Sequence, residues 1–511
     1  MAFFTVTESS GLEWIVPIEP GQSLAQHLFQ QGAFVGKPLC AGLGRCGLCR
    51  VSYHTPAPDI TGQELRILTT DEADGGVRLS CRHFPRPGDS IALPPEAATK
   101  VPREPPLTVD APMDLAVDLG TTTVKWAAIQ GREWVRSGRF PNPQLGAGSE
   151  VMSRLAYARQ NVEKRRYLRD LVRKQIVLLA QDLGVGTREM CVAGNTAMLF
   201  ILLDRDLEGL CAAPYHLDFA GGRECALDGD LPTAYVPPLL GPFVGADVTA
   251  GLAWLLQDSD PGYPFLYADL GTNGEFVLAL GPTNFLATSV PLGPALEGCG
   301  LSFGTMAETG AVAGFRLTSQ GLTAIRQGQG ACSGITATGY VSLLSNLLQA
   351  GAMDRNGVFV SRAASLAGRI TTSLRLVRGE QRLSLEEGMY LAGSDVEELL
   401  KIKSAFNTAL ESLLQKAGIG FSRIKGVHLA GALGEHLKAK DLETLGFIPP
   451  GTGDLIRVAG PAALRGAALL ARDHAFRRTC EETAGTVALL DLPSARNFGR
   501  EFIRRIVFEY I

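Results

Sequence analysis

The stretch Asp114-Leu-Ala-Val-Asp118-Leu-Gly120-Thr121-Thr122-Thr123-Val-Lys-Trp-Ala-Ala-Ile129 reads as an apolar strand, a tight turn and a second strand. The same pattern returns in Phe265-Leu-Tyr-Ala-Asp269-Leu-Gly271-Thr272-Asn273-Gly274-Glu275-Phe-Val-Leu-Ala-Leu280. Asp-Leu-Gly-Thr therefore occurs at 118–121 and again at 269–272. Each copy is followed by a segment with helical spacing, over Glu150–Leu183 and Asp395–Ala417. Each also leads to a buried strand ending in glycine, Glu189-Met-Cys-Val-Ala-Gly194 and Gly426-Val-His-Leu-Ala-Gly431. Val192-Ala-Gly-Asn195 is echoed by Leu429-Ala-Gly-Ala432. This order predicts an internal duplication: two α/β halves that face each other, with both Asp-Leu-Gly-Thr turns at one cleft. A strand–turn–strand ahead of the helix makes each sheet mixed rather than all-parallel.

A cleft that holds phosphates between two lobes needs turn N–H groups and hydroxyls aimed at oxygens, and carboxylates to carry hydrated Mg²⁺. In the first copy Gly120 permits the turn, Thr121, Thr122 and Thr123 supply donors, and Asp118 stands at the strand end. In the second, Gly271, Thr272, Asn273 and Asp269 repeat the arrangement, with Glu275 close by. One such turn is weak testimony because hairpins use them freely; two in matching halves are much stronger. Asp247, in Gly241-Pro-Phe-Val-Gly-Ala-Asp247, either orients a water or metal at the cleft or caps the helix that follows. Asn195 is read first as a helix cap and second as a ligand contact. No Walker-type phosphate loop is present.

The N-terminal 93 residues form a separate α+β unit, with short strands at Phe3–Val6, Glu13–Ile18, Arg50–Tyr53 and Ser90–Leu93 and a helix over Ser23–Gln31. Within it lies Cys40-Ala-Gly-Leu-Gly-Arg-Cys46-Gly-Leu-Cys49, then Cys81. An iron–sulfur cluster needs thiolates and nearby backbone N–H groups that tolerate its negative charge, and Gly42, Gly44 and Gly47 let a loop wrap that closely. Three ligands on one loop with a distant fourth is the arrangement of plant-type 2Fe–2S ferredoxins, with one extra residue in the first gap. Structural zinc favours two C-x2-C pairs, and only one is present, at Cys46 and Cys49. Residues 94–113, with six prolines, read as a semi-rigid linker. The remainder divides into a first subdomain, 114–240, and a second, 241–511, with a C-terminal extension.

The chain has 511 residues, a net charge of −4 and 46% hydrophobic residues, which suits a multidomain soluble protein and gives no support to nucleic-acid binding. No run of 18 apolar residues suggests a membrane span, and the N-terminus lacks the features of a signal peptide. The other cysteines (Cys191, Cys211, Cys225, Cys299, Cys332 and Cys480) are scattered, which fits a reducing cytoplasm with one metal site. A basic helix face, Lys164, Arg165, Arg166, Arg169 and Arg173, is either a solvated surface or a dock for an acidic partner.

The cysteine spacing resembles the adrenodoxin-like ferredoxins. The two turns and the Leu429-Ala-Gly431-Ala-Leu-Gly434 loop resemble the acetate/sugar kinase, heat-shock-70 and actin superfamily of ATPases, the ASKHA fold. That resemblance implies Asp118 and Asp269 at the Mg²⁺ or phosphate side, Thr121, Thr122, Thr272 and Asn273 on phosphates, and Gly431 and Gly434 against adenosine. The whole chain, through Val192–Met198, Gly241–Asp247, Ala268–Glu275, Gly293–Gly298 and Leu429–Gly434, resembles the reductive activators of corrinoid-dependent methyltransferases. It implies a homodimer that takes electrons from a cellular reductant and, with ATP, returns a corrinoid protein from Co(II) to Co(I). Two other readings compete. Activators of radical dehydratases or benzoyl-CoA-type reductases share the ATPase fold but hold a 4Fe–4S cluster between subunits, unlike a fused four-cysteine ferredoxin. A redox-sensing protein with a vestigial nucleotide site would bind no ATP.

Overall fold

Five short strands make the N-terminal unit, ordered Glu13–Pro17, Phe3–Thr7, Ser90–Ala92, Arg50–Tyr53 and Val77–Leu79. Only the pairing of Phe3–Thr7 with Ser90–Ala92 is parallel. Alternation places Phe4 and Val6 inside with Val51, Leu79 and Ile91. The helix Leu24–Gln30 is capped as expected by Ser23, whose side chain accepts the Gln26 N–H while Gln26 reaches back in a capping box. The structure, a computed structural model, describes residues 2–95, 112–183, 187–227, 231–297, 300–360, 365–431, 437–492 and 495–511. Most of the proline-rich linker, Cys299 and Gly434 lie outside the described residues.

The duplication is visible strand by strand. Met113–Leu119, Thr123–Gln130 and Glu133–Pro141 form an antiparallel meander, and Thr187–Gly194 then returns parallel to the first of them. Phe265–Leu270, Asn273–Gly281 and Asn284–Pro291 form a second meander, with Gly426–Gly431 parallel to its first strand. A further parallel strand extends each sheet, Ala234–Val236 in one and Ile456–Gly460 in the other. In register, Asp118 lies between Lys125 and Ala193, and Asp269 lies between Glu275 and Ala430. Two helices join the lobes. Ala246–Asp258 turns Ala250 and Ala253 toward the first sheet and Val248, Leu252 and Leu255 toward the second. Ala462–Arg472 crosses it and packs with Ala116 and Cys191 of the first sheet.

Two expectations need correction. The single helix foreseen over Glu150–Leu183 is two, Val151–Ala158 and Val162–Asp182. Asn161 separates them in an extended conformation and accepts the Lys164 N–H at 2.8 Å, because an asparagine side chain competes with the helix and prefers its cap. The basic face is partly solvated, with Arg166 exposed, but its charges are engaged within the lobe rather than left open as a dock. Arg165, Arg166 and Arg169 all reach Asp204, and Arg173 donates to the Leu202 carbonyl.

The ferredoxin unit is seated on the first lobe. Phe29 sits on the ferredoxin helix but belongs to the core of the first lobe, edge-on to Tyr157 and Tyr167. The Tyr167 hydroxyl donates to the Phe29 carbonyl at 2.6 Å. Full burial of such a ring contributes about 1.5–3 kcal/mol to this seating. On the far side, Arg378 of the second lobe donates to the Leu65 carbonyl at 2.5 Å. Among the described residues no helix is long and apolar enough to cross a membrane.

Candidate functional site

The two Asp-Leu-Gly-Thr turns meet across one cleft between the lobes. Asp118, Gly120, Thr121 and Thr123 line it from one side and Asp269, Gly271, Thr272 and Asn273 from the other. The turns must be glycine-built. At Gly120 a Cβ would stand 2.5 Å from the Thr123 carbonyl oxygen. At Gly431 the backbone has φ +82, and a Cβ there would lie 2.6 Å from Asp269 Oδ1. Gly431 thus brings the end of its strand directly against the second turn, and it lines the cleft. Thr122 does not join this group: it is buried, and its hydroxyl faces inward without a hydrogen-bond partner.

Asp247 completes a trio of carboxylates. The helix beginning at Ala246 is capped by Gly245, so Asp247 lies inside the first turn, where it accepts the Val248 N–H at 2.9 Å and also lines the cleft. Its carboxyl meets the cleft but is packed on its other sides. Burial, reinforced by the Asp269 and Asp118 carboxylates, pushes it well above the usual carboxylate range. Among the described residues the three carboxylates do not close to direct metal-ligand geometry; a divalent cation that kept its waters would relieve the repulsion between them. The fully buried Tyr267 holds its hydroxyl 3.5 Å from Asp269 Oδ2.

Several cleft groups were not foreseen. Lys125 stands across the hairpin from Asp118, with Nζ 3.9 Å from Oδ2, and lines the cleft with Arg139. Strand register alone would have found Lys125, because it is the residue paired with Asp118. Arg139 carries no such signal, since its guanidinium reaches into the opposite lobe to the Ala307 carbonyl. Thr123 Oγ1 donates to Met306 Sδ at 3.6 Å beside it. The helix Ala337–Gln349, capped by Thr336, presents Ala337 and Thr338 to the cleft, so helix N–H groups and dipole also favour an anion there. Asn195 is the helix cap expected of it, at the start of Thr196–Leu202, and it also lines the cleft.

The four cysteines of the ferredoxin unit also converge. Cys40 has Cys46 and Cys81 as hydrogen-bonding neighbours, and Cys49 has Cys81. Hydrogen bonding among them pulls the Cys40 and Cys49 thiols down and, with burial, pushes Cys46 and Cys81 up. The loop is held open by positive φ at Ala41, Gly42, Gly44 and Gly47, and the Arg45 N–H points at Cys40 Sγ at 3.4 Å. At Gly47 a Cβ would collide with Ile67 and the Arg50 guanidinium. Arg82 ties the loop to the Cys81 turn by donating to the Gly42 carbonyl at 2.8 Å. Beneath Cys81, fully buried Glu64 accepts from Leu79 N–H at 2.7 Å and lies 2.9 Å from His83 Nε2. Burial alone would raise Glu64, but N–H groups of Thr61 and Leu79 and the His83 ring outweigh it and hold it low. The donor set, four thiols around a glycine-rich loop with inward N–H groups, fits an iron–sulfur cluster.

Two family models match the chain in succession. One, described as the RACo middle region, covers residues 113–257; the other, described as the C-terminal domain of RACo, the ASKHA domain, covers 264–510. The chain belongs to the RACo family. A relative, the corrinoid activation enzyme RamQ of Eubacterium limosum, is 26% identical over 420 residues, which is 77% of this chain and 70% of RamQ. The Co(II) methylated amine-specific corrinoid protein reductase of Methanosarcina barkeri is 27% identical over 239 residues, 42% of this chain and 40% of that protein. A solved reductive activator for corrinoid, iron–sulfur protein has a TM-score of 0.68 at 21% identity, over 99% of this chain and 98% of that one. The RACo fold, an ASKHA unit with its duplicated mixed sheets, is therefore the fold of this chain.

Proposed function

We propose that this protein reductively activates a corrinoid protein in an ATP-dependent step, as part of a methyltransferase system. The observation that carries the reading is the presence, in one chain, of a four-thiol ferredoxin loop and a two-lobed carboxylate cleft, with the ferredoxin seated on a lobe of that cleft. Cys40, Cys46, Cys49 and Cys81 would hold a 2Fe–2S cluster, which supplies a one-electron donor. Asp118 and Asp269 would hold Mg²⁺. Thr121, Thr272, Lys125 and the N-terminus of Ala337–Gln349 bind the phosphates of ATP, and Gly431 lies against the nucleoside. Asp247 serves as the base that orients and deprotonates the hydrolytic water.

The acceptor's cobalt gains one electron and passes from Co(II) to Co(I), while a cellular reductant restores the electron to the ferredoxin unit. ATP is required because the transfer is uphill: each 59 mV of adverse potential is a tenfold penalty in equilibrium, and lobe closure on the nucleotide offsets it. A cytoplasmic homodimer completes the proposal. The test is a visible spectrum of candidate corrinoid proteins mixed with this protein, a reductant and MgATP. A Co(I) band that appears only with ATP supports the reading. Its absence with every corrinoid protein of the host overturns it.

A further inference from the structure

The nucleotide cleft and the cysteine loop are joined by a short, continuous run of hydrogen bonds centred on Arg154. This residue lies on the helix Val151–Ala158 and is fully buried. Its Nη2 donates to the Thr121 carbonyl in the first phosphate turn, and its Nε donates to the Gly148 carbonyl at 2.8 Å. The same peptide unit that carries the Gly148 carbonyl carries the Ser149 N–H, which donates to the Leu39 carbonyl at 2.9 Å. The Leu39 carbonyl in turn belongs to the peptide unit that begins Cys40. Thus Thr121 and Cys40 are separated by one guanidinium and two rigid peptide planes.

The surroundings leave little slack. Gly148 sits at φ 145, and a Cβ there would collide with Ser153 Oγ and lie 3.3 Å from Ala41 Cβ. Arg154 Nη1 is 3.0 Å from Met198 Sδ, on the helix whose cap, Asn195, holds the Thr121 hydroxyl. Thr121 is therefore held at its carbonyl by Arg154 and at its hydroxyl by Asn195. The other face of the helix Val151–Ala158 presents Ser153, Ala156 and Tyr157 to a groove shared with the cluster cysteines. A close-packed interior transmits a displacement of the turn rather than absorbing it, and this run joins the turn directly to the cysteine loop.

Resting on the assignment of the cleft to nucleotide, we infer that Arg154 is a positioning residue that couples nucleotide binding to docking of the ferredoxin unit, so that nucleotide and docked ferredoxin stabilise each other. The docked unit fixes the Gly148–Ser149 peptide, Arg154 then fixes the Thr121 turn, and a pre-ordered turn binds phosphate more tightly. Linkage requires the converse in equal measure: bound nucleotide holds the ferredoxin unit against the first lobe.

Hydrogen–deuterium exchange and calorimetry on the full holoprotein test this, with MgADP and a non-hydrolysable ATP analogue as probes. In wild type, saturating nucleotide should slow exchange at residues 36–42 and 147–154 by about fivefold or more, the low end of ordinary allosteric coupling. Arg154→Met should still bind nucleotide but lose that protection. Phe29→Ala removes the docking anchor without touching the cleft, and should raise the nucleotide dissociation constant by the same factor of about five or more. This second variant decides the matter even where Arg154→Met does not fold. Nucleotide that binds without protecting 36–42, or an unchanged dissociation constant in undocked Phe29→Ala, overturns the coupling and leaves the cleft assignment standing. A wild-type holoprotein that binds neither probe overturns both.

Discussion

Asn195 donates from Nδ2 to Thr121 Oγ1 at 2.6 Å while its Oδ1 accepts the Met198 N–H at 3.0 Å. One side chain thus starts a helix and aims a hydroxyl of the first Asp-Leu-Gly-Thr turn. The two roles separate by substitution. Asn195→Asp keeps a cap of equal quality but loses the donor and adds a negative charge beside the phosphates. Thermal stability should be nearly unchanged, and nucleotide affinity should fall at least tenfold, about 1.4 kcal/mol. Asn195→Ala should lose about 1 kcal/mol of stability with the cap. Calorimetric titration beside thermal unfolding checks both, and wild-type affinity in Asn195→Asp would show that Thr121 does not face phosphate.

Asp247 is expected to trade stability for function. Its charge is opposed by burial and by Asp269 and Asp118. Asparagine can keep the hydrogen bond from Val248 while removing that opposition. Asp247→Asn should therefore unfold at a higher temperature than wild type without ligand, as functional carboxylates held in unfavourable fields generally do when neutralised. It should also hydrolyse MgATP at least tenfold more slowly, about 1.4 kcal/mol in the barrier. Unchanged hydrolysis would place the metal and water elsewhere in the cleft.

Much of this was legible in the chain. Repeats of Asp-Leu-Gly-Thr and strand-period apolar runs carry the duplication, because a sheet strand buried on both faces cannot be written any other way. The cysteine loop was legible because three of its four thiols and its glycines lie together between Cys40 and Cys49. What stayed hidden depends on contacts distant in sequence. Arg154 looks like a surface charge on an amphipathic helix, yet its partners are Thr121, Gly148 and Met198. The basic run at Arg165–Arg169 has Asp204 as its sink, a residue with positive φ just after another helix. The cap preference of Asn161 was the one local sign of the break, and it was masked because the apolar spacing continues across it.

His428 gives the second lobe an acid limit. It lies on the strand leading to Gly431, edge-on to Phe265, and burial with some repulsion from Arg457 lowers it to about 4 from 6.5. The folded state therefore binds fewer protons than the unfolded state between these values. Stability should be intact above pH 6.5 and should fall as the pH drops toward 4. The limit is about 3 kcal/mol at 1.36 kcal/mol per unit, and partial solvent contact reduces it to about 1–2 kcal/mol. His428→Gln should flatten this slope in urea unfolding measured at pH 7 and pH 5. An equal slope in the variant would assign the acid sensitivity to other groups.

The crossing of the two interlobe helices should be the least tolerant point in the two-lobed unit. A Cβ on Gly466 would collide with the Ala250 carbonyl oxygen and come within 2.9 Å of the Ala250 Cα. Two effects oppose each other in Gly466→Ala. Alanine favours the helix by about 1 kcal/mol over glycine, and overpacking costs about 1–3 kcal/mol. The colliding atoms are backbone, which cannot rotate away as a side chain would, so the second effect wins. The helices must separate, and with them the sheets that carry Asp118 and Asp269. The variant should melt below wild type, by roughly 2–4 °C for each kcal/mol lost, and its MgATP affinity should weaken in parallel because the two turns no longer close on one phosphate chain. An unchanged or higher melting temperature would show that the helices can shift apart without disturbing either sheet.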